Sequence, residues 1–211
     1  MLGGVLFIFS AILLVNSSFS TAPADPAGLV VKFPDIRTAV AVAETIDLLA
    51  VVSWVVLFVT LYRALRGENP ATAMFGSAIG VLGLAMLLVG AITYVAFDPI
   101  STLYHAPGVS PATQASLVNT WQAVQGVFNE TDTVGFLLVS VAFVVLGLSM
   151  RKGRAFGRYL GAATSALGAA GVVGISLFSV TSGSFGIFGV LIFVFLPILL
   201  GWKAYRTSRV T

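Results

Sequence analysis

Apolar runs long enough to cross a bilayer follow one another along this sequence, and its basic residues fall in short clusters where those runs end. A membrane helix needs about 20 predominantly apolar residues. The pattern supplies such a run six times, at about 1–19, 40–65, 72–97, 133–150, 157–180 and 185–203. The chain is 58% hydrophobic and 9% charged, whereas roughly a quarter of a soluble domain is charged. No single aqueous core absorbs that much apolar surface, but helices facing lipid and one another do. The expected fold is therefore an all-α, polytopic membrane bundle: one domain of six transmembrane helices with a short amphipathic helix in an outer loop.

Residues 1–19 read as a retained first span rather than a signal peptide, because no basic residue precedes the apolar core, although Ala22 and Ala24 offer a small-residue cleavage site. Residues 25–37 contain Pro26 and Pro34 and read as an exposed connector, with Asp35 as the cap of the next helix. That helix, from Ile36 to Leu65, spans about 45 Å at about 1.5 Å per residue, more than the hydrocarbon thickness of about 30 Å. It ends in Tyr62, Arg63 and Arg66, an aromatic and basic anchor. Asp98 and Pro99 are expected to stop the third span. Within it Gly76, Gly80, Gly83 and Gly90 let a neighbouring backbone approach, and packing inside the chain is the default reading of the Gly76–Gly80 step.

The longest polar stretch runs from Asp98 to Asp132. Ser110 as N-cap and Pro111 at the first helical position start a helix over about 111–128. Leu117, Val118, Trp121, Val124 and Phe128 share one face of it, and it is too polar to span, so it is expected to cover the bundle as a loop helix. Asn129–Asp132 then cap the fourth span. The fifth carries Gly157, Gly161, Ala162, Ala166, Ala170 and Gly174, a face suited to the middle of a bundle. A turn over 181–184 leads to the sixth, where Pro197 predicts a kink.

Arg63, Arg66, Arg151, Lys152, Arg154, Arg158, Lys203, Arg206 and Arg209 fall on one side of a six-span arrangement, and Lys32 and Arg37 on the other. The positive-inside rule then places both termini in the cytoplasm, in a multi-pass protein of the cytoplasmic membrane. Basic residues at helix ends are membrane anchors, not the continuous basic face that nucleic acid requires.

Asp47 is the most informative residue for function. Counted back from Arg63 it lies about 24 Å away, roughly one turn inside the outer boundary, and Glu44 precedes it on the same helix face. An acid at that depth is costly and points to a proton relay, an ion site or a polar ligand contact, or, as the plain structural alternative, to a hydrogen bond with a neighbouring helix. The ligand-binding candidates are Glu44, Asp47, Trp54, Asp98, Trp121, Glu130 and Asp132, which would have to converge beneath the loop helix. Asp98, His105 and Asp132 are weak candidates for a divalent cation, and no metal site is assigned. His105, beside Tyr104, reads better as a solvated loop residue than as a ligand.

No catalytic residue is assigned. A single histidine and no cysteine disfavour a zinc hydrolase and exclude bis-histidine haem ligation within one chain. Gly174–Leu177 looks like part of a serine nucleophile motif but lacks the glycine after the serine. Lys32, Lys152 and Lys203 lie at edges or in loops, so no span offers a Schiff-base lysine, and there is no phosphate-binding glycine fingerprint. The expectation is a non-enzymatic membrane protein without a cofactor, whose partners are the lipid bilayer and a small or lipid-like ligand or a protein at its extracytoplasmic face. A small ion-coupled carrier using Asp47 and a lipid-modifying enzyme are the alternatives; the oligomeric state stays open.

Four stretches carry a family resemblance: Ala43–Ala50, which holds both Glu44 and Asp47; Leu61–Arg66; and the Gly135–Leu138 and Leu146–Leu148 segments of the fourth span. Together with the short first span they resemble the bacterial six-helix membrane proteins grouped as domain of unknown function 4386. The resemblance implies a fold over most of the chain and no reaction.

Overall fold

Two prolines make residues 25–37 look like a connector. In the computed structural model, which describes residues 2–17, 19, 25–152, 156–178 and 189–208, these residues are helical instead. Asp25 accepts a hydrogen bond from the Gly28 N–H at 2.9 Å, and Pro26 takes the first helical position, where a missing N–H is no loss. Pro34 cannot donate to the carbonyl four residues back. That carbonyl, on Val30, accepts from the buried Ser101 hydroxyl at 3.2 Å. Helix α2 therefore runs unbroken over Pro26–Leu65, 40 residues or about 60 Å, and Asp25 rather than Asp35 caps it. It is preceded by α1, Leu2–Ser17.

The expected stop at Asp98 and Pro99 is likewise absent. Helix α3, Pro70–Thr93, tightens into a 3₁₀ turn at Tyr94–Ala96 and continues as α4, Phe97–Tyr104. Pro99 sits inside α4, and the tightened turn lies just before it, where the carbonyl facing the proline ring must move aside. Ser110 and Pro111 do start a helix, with the Ser110 hydroxyl accepting from the Thr113 N–H at 3.2 Å. That helix, α5, does not end near Phe128: it runs over Pro111–Lys152, 42 residues, so the loop helix and the fourth span are one element. Hydroxyls within and just after the expected cap bond back into the helix. Thr131 donates to the Phe128 carbonyl at 2.8 Å and Thr133 to the Asn129 carbonyl at 2.8 Å, a habit of hydroxyls within helices that leaves the ladder intact.

Helix α6 covers Arg158–Phe178, and a wide π-type turn at Val190–Phe195 enters the last helix, α7, Leu196–Ser208. The π turn lies immediately before Pro197, where the sequence predicts a kink. The sites noted at Ala22 and Ala24, Arg154, Arg209 and the turn over 181–184 lie outside the described residues. Among the described residues there is no strand. Pro26–Leu65, Pro70–Tyr104, Pro111–Arg151 and Arg158–Leu177 are each long and apolar enough to cross a membrane, and Leu2–Ser17 is a shorter apolar helix. The described residues are almost wholly helical, and the chain is a membrane protein.

Neighbouring helices run antiparallel and close. A Cβ on Gly83 would stand 2.8 Å from the Gly135 carbonyl, and one on Gly76 2.9 Å from Leu146, so α3 meets α5 backbone to backbone. Gly80 faces the Phe58 ring of α2 instead; the Gly76–Gly80 step is used within the chain, by two different neighbours. On α6 Gly161, Thr164, Gly168, Gly171 and Gly174 are buried, Ala162 and Ala170 are half-buried and Ala166 is exposed. Of the row read from the sequence, Gly161 and Gly174 are therefore buried and the alanines between them are not.

The apolar side chains form two clusters. One fills the bundle around Trp54, Phe58, Leu61, Phe143 and Leu146. The other joins the N-terminal part of α2, the 3₁₀ turn, α4 and the N-terminal part of α5 through Val30, Phe33, Tyr94, Phe97, Trp121 and Phe128. This second cluster is a small core of its own, a cap over one end of the bundle.

Candidate functional site

Between the two clusters lies a cavity of about 200 Å³, and helical periodicity explains its lining. On α2, Glu44, Asp47, Val51 and Trp54 are spaced three, four and three apart and share a face. Phe128, Asp132 and Phe136 recur every four residues on α5, and Leu87, Ala91 and Tyr94 descend from α3 and its 3₁₀ turn. Phe7 and Leu14 of α1 complete the wall. Three carboxyl groups and a phenol thus face one chamber whose remaining walls are aromatic and aliphatic.

Two polar atoms of this lining have no hydrogen-bond partner. Asp47 Oδ1 is buried without a hydrogen-bond partner, and so is the hydroxyl of Tyr94, a residue 8% exposed that stands within electrostatic reach of Glu44, Asp132 and Asp47. Ser10 of α1 is fully buried, with its hydroxyl towards Asp47. Gly90 makes room for Asp132: a Cβ there would lie 2.6 Å from its carboxyl oxygen. Towards the basic end of the bundle four rings follow in contact, Phe7 on Trp54 at 5.6 Å, Trp54 on Phe193 at 5.5 Å and Phe193 on Phe136 at 4.5 Å between centroids. On the opposite side a groove of about 710 Å³ between α2 and the α3–α4 segment shares Glu44, Leu48, Ala91 and Tyr94 with the cavity. Its lining includes Arg37 and Asp98, an exposed ion pair at 3.3 Å.

Residues 1–203 match the family described as Domain of unknown function (DUF4386). The chain belongs to that family. No curated protein and no solved structure is similar enough to match it. Within this DUF4386 chain the segment Ala43–Ala50, which carries the resemblance, also supplies two of the three cavity acids.

Of the residues singled out from the sequence, the structure brings together Glu44, Asp47, Trp54 and Asp132. It keeps the others apart. Glu130 is exposed on α5, because in a continuous helix two residues of separation turn a side chain by about 200°. Asp98 pairs with Arg37. Trp121 is fully buried among Phe33 and Phe97 in the cap core and does not line the cavity. His105 is exposed, its Nδ1 2.8 Å from the Ser101 carbonyl at the end of α4. Among the described residues no three histidine or acidic side chains converge closely enough to hold a metal ion, so Asp98, His105 and Asp132 form no cation site together. Sequence reasoning passed over Tyr94 and Ser10. Tyr94 resembles any interfacial aromatic at a span's end, whereas Ser10, a lone hydroxyl inside the first apolar run, was a usable signal.

Proposed function

We propose that this protein is a six-span bundle of the cytoplasmic membrane, both termini cytoplasmic, that binds a small cationic or lipid-like ligand in the cavity of Glu44, Asp47 and Asp132 without a catalytic step. The convergence of three acids and the unpartnered Tyr94 hydroxyl in one aromatic-walled chamber carries the reading. Carboxylate charges that share one low-dielectric chamber repel one another, and a cation in the chamber offsets the repulsion. Aromatic faces add cation–π attraction to a ligand too large for a bare metal site. The cavity lies beneath the cap, among α1, α2, α3 and α5, and Trp121 is not part of its lining. A ligand reaches it by the α2–α4 groove. The ring contacts below Trp54 favour a binding protein over a carrier, which needs a second exit towards the basic end.

Benzyltrimethylammonium, titrated into the purified protein in maltoside micelles, is expected to raise its unfolding temperature. The same titration is expected to leave a Glu44→Gln, Asp47→Asn, Asp132→Asn triple variant unmoved. Equal shifts in both proteins, or none in the wild type, would remove the cation reading.

The orientation has its own test, made simple by a sequence without cysteine. Pro107→Cys lies in the exposed turn after α4, and Gly67→Cys in the exposed turn after α2, where an added Cβ meets nothing within 4 Å. A membrane-impermeant maleimide is expected to label the first in intact cells and the second only after permeabilisation; the reverse pattern would invert the topology.

A further inference from the structure

At the other end of the bundle, where α3 begins, α5 ends and α6 begins, a second cavity of about 600 Å³ is lined by Asn69, Thr72, Leu148, Ser149, Arg151 and Arg158. We infer that this cavity is a binding site for a phosphate group. The inference is independent of the acid-lined cavity and of the ligand assigned to it.

The first argument is electrostatic. Among the described residues none of the lining is acidic, and two are arginines from the ends of different helices. Their guanidinium forks present paired N–H donors that match phosphate oxygens. The third positive element is the N-terminus of α3, a helix of 24 residues. Asn69 accepts from the Thr72 N–H at 3.3 Å and Pro70 has no N–H; Asn69 and Thr72 both line the cavity, which sets the positive end of the helix dipole beside it.

The second argument comes from a single buried hydroxyl. Ser149 is 1% exposed, lines the cavity, and its Oγ has no hydrogen-bond partner. Buried hydroxyls in helices usually bond a carbonyl of the preceding turn, as Ser140 does with Phe136 at 2.8 Å and Thr164 with Leu160 at 2.8 Å. Ser149 departs from its neighbours' habit beside two arginines and a helix N-terminus. A phosphate oxygen between Arg151 and the α3 N-terminus supplies the acceptor that the protein does not.

The same chemistry is offered by an anionic lipid headgroup and by free phosphate, and phosphorus NMR in phosphate-free maltoside micelles separates the two. Short-chain phosphatidylglycerol and inorganic phosphate are titrated separately into the wild type, Ser149→Ala and Arg151→Gln/Arg158→Gln. Broadening of either phosphorus resonance by the wild type, with affinity at least tenfold weaker in the double variant and several-fold weaker in Ser149→Ala, supports the site and identifies its source. Ser149→Ala removes a hydroxyl that bonds nothing in the protein, so its unfolding temperature is expected to match the wild type, which separates a binding role from a structural one. Broadening by neither probe, or equal broadening by all three proteins, overturns the inference.

Discussion

Trp121→Ala is expected to lower stability by about 3–5 kcal/mol, the range for removing a large buried aromatic. The side chain is fully buried, edge-on to Phe33 at 5.1 Å and 4.3 Å from Phe97. It ties α5 to both α2 and α4. Its loss opens the cap core, whose members Tyr94 and Phe128 also wall the acid-lined cavity, so cation binding should weaken as a consequence. Trp121→Phe keeps a ring in place and removes an indole N–H that has no partner, and its cost should stay below about 1.5 kcal/mol. Unfolding of the three proteins in a denaturing detergent series, followed by circular dichroism, measures the difference. A Trp121→Ala protein as stable as wild type that had lost only ligand binding would return Trp121 to the binding site.

The second large effect belongs to the seam between α5 and α6. A Cβ on Gly147 would stand 2.5 Å from the Ser165 backbone nitrogen and 2.7 Å from the Gly161 carbonyl, and one on Gly161 2.6 Å from the Arg151 nitrogen. Ser165 crosses the same seam to donate to the Val144 carbonyl at 3.1 Å. Apart from the Ser165 hydroxyl, the nearest atoms in the way are backbone, which cannot rotate aside as a side chain can. Gly147→Leu should therefore exceed the usual overpacking cost of about 1–3 kcal/mol by separating the two helices and breaking the Ser165 bond. Gly67→Leu, in open space, serves as the control and is expected within about 0.5 kcal/mol of wild type. Equal stability of the two variants would mean that α6 does not pack on α5 as described.

These contacts give physical content to the motifs that carry the family likeness. Gly147 is the centre of the Leu146–Leu148 segment and meets α6; Gly135 opens Gly135–Leu138 and meets the backbone of Gly83 on α3. Ala43–Ala50 places Glu44 and Asp47 one turn apart on the face that lines the cavity. Motifs that look generic as strings of small and apolar residues are where helix axes approach most closely or where acids are turned inward.

Hydropathy alone determined that the chain is helical and belongs in a membrane, because runs of that length and polarity have no aqueous solution. It also located Glu44 and Asp47, since an acid inside an apolar run is visible without any neighbour. The Ser110–Pro111 start was legible for a similar reason: a cap acts within three residues. What the sequence misjudged were the stops. Pro34, Pro99 and the polar residues 129–132 all carry local signals for ending a helix, and the chain continues through each. At Pro34 the carbonyl left without its partner is satisfied by Ser101, 71 residues away. Around it, Phe33, Phe97 and Trp121, from three separate helices, supply the burial that holds those turns in place. Only the tertiary structure could decide that two expected loops are one capped core, and with it which acids meet: Asp132 turns into the cavity and Glu130 away from it because the helix between them never breaks.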